Sequence, residues 1–254
     1  MSHSKHKAAG KQGSGRTGLA RALSKMGYCS RSAAQKLITD GQVSVNGRTA
    51  RDPEKSVRLD TDQIQVARTK ISGANKTYLM MNKPRGLVTS AHDEKGRPTI
   101  YSLLATNQQW LAPVGRLDKA SEGLLLLTND SQWGARITSP ESHVSKTYHV
   151  QVAARVEGGL IERLIAGVRE RGELLRVKKA ALLRSGQKNC WIEIVLEEGR
   201  NRHIRRMFSA LDIEVLRLVR VAIGNLQLGD LAKGKVRELT SDEVKAFGSG
   251  GRNA

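Results

Sequence analysis

The sequence predicts an α+β protein in two parts: a small basic module, then a larger domain built on a mixed, mostly antiparallel β-sheet with flanking helices. Three observations predict it. The chain has 254 residues, enough for two domains with cores of their own. In the last two thirds, strand-like apolar runs outnumber helical patterns and do not alternate regularly with them, which argues against a doubly wound parallel fold. Between the parts lies a polar stretch, Thr69-Lys-Ile-Ser-Gly-Ala-Asn-Lys76, that reads as a linker over 69–76.

Residues 1–16 are Gly, Ser, Lys and His with almost no apolar content, so a disordered cationic tail is expected. The module over 17–68 opens with Leu19, Leu23 and Met26 at helical spacing, stopped by Gly27. Ser30 is placed to cap a second helix carrying Ala33, Ala34, Leu37 and Ile38 on one side and ending at Gly41. Val43 and Val45 alternate as in a strand, Asn46-Gly47 is a hairpin turn, and Val57, Leu59, Ile64 and Val66 supply further short strands. Arg21, Lys25, Arg31 and Lys36 fall on the two helices, with no acidic residue before Asp40. A merely solvated face usually mixes charge signs, so this one points to phosphate contact.

The larger domain, 77–247, begins with a strand over 78–81. Strand-like runs follow at 87–89, 124–128, 148–152, 190–196 and 215–221, and helical patterns at 160–166, 203–211 and 241–246. Residues 248–254 read as a flexible tail.

The formal net charge is +19 and the isoelectric point about 10.4. That excess suits a partner that carries phosphates, because each Lys or Arg set against one releases a condensed counterion. No apolar run is long enough to span a bilayer, no basic amphipathic helix suggests a membrane surface, and the N-terminus lacks the apolar core of a signal peptide. Cys29 and Cys190 stand far apart and form no Cys-x-x-Cys pair, which reads as two reduced, buried thiols in a cytoplasmic protein. The histidines show no metal-ligand spacing, and no phosphate loop or dinucleotide fingerprint is present. No metal and no cofactor are expected.

Four segments of the larger domain carry unusual polar residues. Asn82-Lys-Pro-Arg-Gly86 is a cationic turn after the first strand; its plainer reading is a hairpin. Val114-Gly-Arg-Leu-Asp-Lys-Ala-Ser-Glu-Gly-Leu-Leu-Leu-Leu-Thr128 puts one carboxylate, Asp118, in a turn beside a four-leucine run, with Arg116 two residues earlier. Asp in a turn is usually a local cap, but here the turn has a rigid base. Lys146-Thr-Tyr148 heads a strand, where Tyr is more often half-buried packing. Gly199-Arg-Asn-Arg-His-Ile-Arg-Arg-Met207 sets four arginines at the start of a helix, a dense anion-binding site or a solvated basic face.

In this order the segments resemble the ribosomal RNA pseudouridine synthases that modify single uridines. Gly115-Arg-Leu-Asp118 with Ser121-Glu-Gly-Leu-Leu-Leu-Leu-Thr-Asn-Asp130 resembles their catalytic motif. Lys83-Pro84-x-Gly86, Lys146-x-Tyr148 and the arginine run match the others. Residues 17–68, with Cys29-Ser-Arg-Ser-Ala-Ala34 and Gly41-Gln-Val-Ser-Val-Asn-Gly47, resemble the S4 RNA-binding domain that precedes the catalytic domain in this group.

The resemblance implies Asp118 as nucleophile and Arg205 as its partner, with Tyr148 against the target base. Arg116 would fill the stack vacated by the flipped uridine, and Ile204 and Leu196 would line the pocket. Lys83, Lys146, Arg200, Arg202, Arg206 and the four cations of the small module are expected to contact RNA. His203 departs from the family, which often has Gln there.

Uridine-to-pseudouridine isomerisation breaks N1–C1′, turns the uracil over and rejoins it through C5. Nothing is oxidised and no group is donated, so the chemistry itself requires no cofactor. A glycosidase would need two opposed carboxylates and a water. The attack on C1′, on C6, or a glycal route all fit one carboxylate. The resemblance therefore implies an isomerase acting on ribosomal RNA, with motif details favouring the large subunit over the small; a single RNA site and no visible heptad seam read as a monomer. The rivals are an RNA-binding assembly protein without catalysis and a nuclease or RNA glycosidase.

Overall fold

The structure is a computed structural model and describes residues 15–73, 75–91, 93–104, 109–155 and 159–247. The tail expected over 1–16 lies outside these except for its last two residues, and the one expected over 248–254 lies wholly outside. Two compact units divide between Asn75 and Lys76.

The first unit runs β1 (Thr17–Gly18), α1 (Leu19–Lys25), α2 (Arg31–Thr39), β2 (Val43–Val45), β3 (Arg48–Ala50), β4 (Ser56–Val57), β5 (Ile64–Val66) and β6 (Thr69–Lys70). Ser30 Oγ accepts the Ala33 N–H at 3.2 Å, the expected cap. Asn46 and Gly47 both have positive φ, 52° and 78°, as a tight hairpin between β2 and β3 requires. Four strands form a sheet in the order β3-β2-β5-β6, and β1 pairs with β4. Leu19, Leu23, Ala34, Ile38, Val43, Val45, Val57, Ile64 and Val66 make the core. Two expectations need correction. Ala33 is exposed, because the buried face of α2 runs through Ala34 and Ile38 with Leu37 half-buried. The supposed linker begins too early: β6 pairs with β5, and Ile71 packs on this core.

The second unit adds β7 (Tyr78–Lys83), β8 (Ala112–Val114), β9 (Glu122–Thr128), α3 (Ser131–Thr138), β10 (Lys146–Val152), α4 (Leu160–Ala166), β11 (Val168–Glu170), β12 (Glu173–Leu175), β13 (Lys179–Ser185), β14 (Cys190–Leu196), α5 (His203–Ser209), β15 (Val215–Ile223), β16 (Leu226–Gln227), β17 (Val236–Glu238) and α6 (Ser241–Ala246). Nine of these strands form one sheet, in the order β13-β14-β10-β15-β9-β7-β17, with β16 beside β15 and β8 beside β9. Every pairing in it is antiparallel except β15 with β9.

The four-leucine run is the middle of β9. Leu124 and Leu126 pack with Trp133 and Ile223, and Leu125 and Leu127 with Leu79, Met81, Leu111 and Leu117. Both faces of the strand are covered, so its period of two is invisible in the sequence. A third apolar cluster joins Val150, Ile192, Ile194, Leu196 and Leu218 of the sheet to Ile204, Met207 and Phe208 of α5. Cys190 is buried and Cys29 half-buried, both free thiols. The strand expected at 87–89 is absent: Val88 makes only an isolated bridge with Thr99. Helix α3 was not expected, although Asp130 caps it by accepting the N–H groups of Gln132 and Trp133, and Trp133 and Ile137 stand one turn apart on its buried side.

Glycine at 123 is dictated by the parallel seam. It has φ +102°, and a Cβ there would sit 2.2 Å from the Arg220 carbonyl oxygen. Gly123→Ala is expected to destabilise the second unit by about 3 kcal/mol or more, since overpacking and left-handed strain add. Gly172→Ala, also at positive φ but with nothing within 4 Å of the new carbon, should cost about 1 kcal/mol. Thermal melts followed by circular dichroism test the ranking; equal shifts would show that β9 and β15 can separate freely.

Candidate active site

The turn between β8 and β9 carries Asp118, and its backbone is held at five consecutive carbonyls. The Leu117 carbonyl accepts from Thr89 Oγ1 at 2.7 Å and the Lys119 carbonyl from the Gly86 N–H at 2.8 Å. Lys83 Nζ reaches the Asp118 carbonyl at 3.1 Å and the Ser121 carbonyl at 2.9 Å, as well as that of Pro84 at 3.2 Å. Arg205 Nη2 closes the set on the Ala120 carbonyl at 3.0 Å. Inside the turn, the Ser121 N–H returns to the Asp118 carbonyl at 2.9 Å. Gly115 begins it with φ +73°.

A cavity of about 400 Å³ opens over this turn, the size class of small-ligand sites. Asp118, Arg116, Ser121, Lys146, Tyr148, Leu196, Arg202, His203, Ile204 and Arg220 are among its lining residues. Three carboxylates line it. Glu197 is paired with Lys178 at 2.6 Å and Glu198 with Arg200 at 2.9 Å, while Asp118 makes no ion pair within 4.0 Å among the described residues. Leu196 of β14 and Ile204 of α5 give the cavity an apolar wall, and Tyr148 of β10 lines it, half-buried.

The structure brings together Asp118, Tyr148, Arg116 and Arg202, and redirects several other expected site residues. Lys83 is fully buried, so it cannot be an RNA contact; its three N–H groups bind the Asp118 turn and the neighbouring Pro84 carbonyl. Burial pushes its ammonium down to about 8, against the pull of Asp118 and Glu122. Arg205 does not form an ion pair with Asp118. It donates to the backbone of Ala120 and of Val215, at 3.0 and 3.3 Å. Burial and the nearby Arg202 lower its pKa, and the charge of Asp118 acts the other way.

Lys146 lines the cavity but commits two N–H groups to the carbonyls of Val144 and Ile137, leaving one for a ligand. The arginine run also divides. Arg200 pairs with Glu173 and Glu198, and Arg206 with Glu170 and Glu173, so these two clamp the β11–β12 hairpin to α5. Arg202 alone of the four stays exposed without a carboxylate partner, in the left-handed region at φ +48°. His203 is buried, with Nδ1 3.8 Å from Glu198, and burial lowers its pKa, so it is neutral near pH 7.

In the first unit, Arg21, Arg31 and Lys36 are exposed and Lys25 half-exposed, and none makes an ion pair within 4.0 Å among the described residues.

Sequence reasoning missed Ser121, Arg85 and Arg220. Ser121 is buried in the cavity wall. Arg85 is exposed and unpaired, with its charge felt by Arg205. Arg220 is the largest omission. It lies on the buried parity of β15, with Leu218 and Ala222, where a charged residue breaks the apolar pattern. That break was the available signal.

Residues 77–210 match the family model described as RNA pseudouridylate synthase, and 17–64 match the S4 domain. The chain is 36% identical over 242 residues to ribosomal large subunit pseudouridine synthase B of Bacillus subtilis (strain 168), covering 93% of this chain and 98% of that protein. It is 35% identical over 223 residues to an uncharacterized RNA pseudouridine synthase of Aquifex aeolicus (strain VF5), covering 87% and 90%. A solved structure titled as a pseudouridylate synthase superposes with a TM-score of 0.63 at 33% identity, over 91% of this chain and 99% of the other. With its S4 domain followed by a nine-stranded sheet that presents Asp118 over a cavity, the chain belongs to the RNA pseudouridylate synthase family.

Proposed function

We propose that this enzyme isomerises one uridine of ribosomal RNA to pseudouridine, in large-subunit rather than small-subunit RNA, with Asp118 as the group that acts on the nucleotide. One observation carries the role of Asp118: it is the cavity carboxylate left unpaired, on a turn whose backbone is fixed at five successive carbonyls. A nucleophile or base must be ionised and already in position, because geometry pre-set by the fold lowers the barrier of the chemical step. The large-subunit reading follows the Bacillus subtilis relative, whose name carries that substrate.

Each cavity residue has a part. The target base must leave its stack, at a cost of a few kcal/mol. Stacking on Tyr148 returns about 1–3 kcal/mol of it. Arg116, exposed beside Asp118, takes the vacated place in the RNA, and Arg202 meets phosphate at the rim. The apolar wall of Leu196 and Ile204 keeps water from the sugar while the glycosidic bond is open. The reaction is an isomerisation, and we assign it to a single chain acting in the cytoplasm. Among the described residues no helix is long and apolar enough to cross a membrane, and no cluster of three or more His, Cys, Asp or Glu is placed to hold a metal ion.

Asp118→Asn is expected to abolish isomerisation while leaving RNA affinity within a few-fold of wild type. Tritium release from RNA labelled with 5-[³H]uridine reads the chemistry, and filter binding the affinity. Substantial turnover by the variant would remove Asp118 from its role.

The S4 unit supplies affinity in this reading. Changing Arg21, Lys25, Arg31 and Lys36 together to Gln should lessen the slope of log affinity against log salt by about 3, at roughly 0.7–0.9 per phosphate contact. An unchanged slope would show that these helices do not touch RNA.

Arg205→Lys should slow single-turnover isomerisation on the order of 100-fold, because an ammonium cannot hold two carbonyls in the planar fork geometry and the turn shifts. Arg206→Lys keeps a cation beside Glu170 and Glu173 and should leave the chemical step nearly unchanged. The reverse ranking would assign the turn contact to the wrong arginine.

A further inference from the structure

We infer that Arg220 is the hydrogen-bond donor that this cavity holds for a carbonyl oxygen of the target uracil. The inference rests on the cavity being the uridine site and names a contact within it.

Arg220 is 4% exposed and lines the cavity. Of its five N–H groups, the Nε–H is taken by the Leu124 carbonyl at 2.8 Å. Its Nη2 is buried with no partner, and no carboxylate lies within 4.0 Å among the described residues. Several other arginines of this unit meet carboxylates: Arg206 meets Glu170 and Glu173, Arg217 meets Glu122, and Arg237 meets Glu243, while Arg205, like Arg220, holds backbone carbonyls. A buried guanidinium without a counter-charge is costly to the fold. Its nearest cationic neighbours add to that cost. Burial lowers the pKa of both Lys83 and Lys146, and the charge of Arg220 lowers each further. Both ammonium groups already bind backbone carbonyls. The fold thus concentrates positive charge beneath the cavity; Arg205 Nε and Arg220 Nη2 are both buried there without a partner, and of these two arginines only Arg220 lines the cavity.

Position decides what answers it. Tyr148 and Arg220 are directly opposite residues of β10 and β15, and both line the cavity. Side chains so paired start about 4.5–5.5 Å apart and share a face of the sheet. A base lying on the Tyr148 ring therefore brings its edge to the guanidinium. The phosphates stay nearer the rim, where Arg116 and Arg202 are exposed. The chemistry also favours the base. When N1–C1′ breaks, its electron pair leaves with the uracil and spreads onto the carbonyl oxygens; charge is cleared as C5 bonds to C1′, C5 gives up its proton and N1 gains one. A fixed guanidinium on a carbonyl oxygen stabilises the base as it detaches.

The test is a cycle between enzyme and substrate atoms. Single-turnover rates are measured on a synthetic stem-loop containing uridine, 2-thiouridine or 4-thiouridine at the modified position, with wild type, Arg220→Gln and Arg220→Lys. The stem-loop is cut from whichever cellular RNA the wild-type chain modifies. An RNA other than ribosomal would remove the proposed substrate and leave this experiment intact.

Sulfur accepts hydrogen bonds poorly, so one thio position should slow wild type about 10-fold or more. Each Arg220 variant should be slowed on uridine by about 10- to 100-fold, with no further loss at that same thio position. RNA affinity and melting temperature of Arg220→Lys check that the fold survives. If the two losses multiply at both thio positions, Arg220 makes no contact with the base and the inference is overturned. It is equally overturned if the losses merge instead on a methylphosphonate placed at the target phosphate.

Discussion

A buried lysine beneath a five-residue turn is the constraint on which the rest of this site depends. Lys83 ends the strand that begins the second unit, and its ammonium gathers the carbonyls of Asp118 and Ser121 from a segment 35 to 38 residues later. A lysine is almost never fully buried unless its donors are satisfied. Here all three N–H groups have carbonyl partners, which turns a liability into a clamp. Thr89, Gly86 and Arg205 complete it from three other places in the chain. The carboxylate at the top of the turn is then one of the few groups around the cavity with no partner of its own.

That arrangement separates two uses of positive charge. The S4 helices, the cavity residues Arg116 and Arg202, and Arg85 carry exposed cations without a carboxylate partner among the described residues. Beneath the cavity, Lys83, Lys146, Arg205 and Arg220 hold backbone carbonyls. The net charge of +19 thus contains both an electrostatic footprint for a polyanion and a set of internal struts. Arg200 and Arg206 belong to neither group, since their charge is answered by Glu173, Glu170 and Glu198.

Local chemistry was legible in the sequence wherever a residue acts through its own segment. The Ser30 cap, the Asn46-Gly47 turn and the strands around 124–128 and 190–196 follow from neighbours in the chain. The Asp118 turn could be singled out because its rigid base is adjacent. The failures share a cause. Lys83 looked like an RNA contact because a lysine in a Pro-Gly turn is normally exposed; its burial comes from long-range carbonyls that no local pattern reports. Arg205 was assigned to the side chain of Asp118, whereas the structure shows it two residues further along, on backbone. Arg206 looked free because Glu170 and Glu173 are distant in sequence, whereas one partner of Arg200, Glu198, is only two residues away. β13, whose exposed Leu182 and Leu183 spoil alternation, left no clean period to read.

The parallel seam between β9 and β15 is only two residue pairs long, Val219 with Glu122 and Arg220 with Gly123. It joins strands that are far apart in the chain; the Arg220 bond to Leu124 spans 96 residues. Contacts of such separation close late, because the intervening loop must first give up its freedom. A polypeptide made from its N-terminus can therefore complete the S4 unit well before the ribosome has released the strand that finishes the cavity. The S4 unit can thus stand folded while the cavity, which waits on β15, is still open on one side.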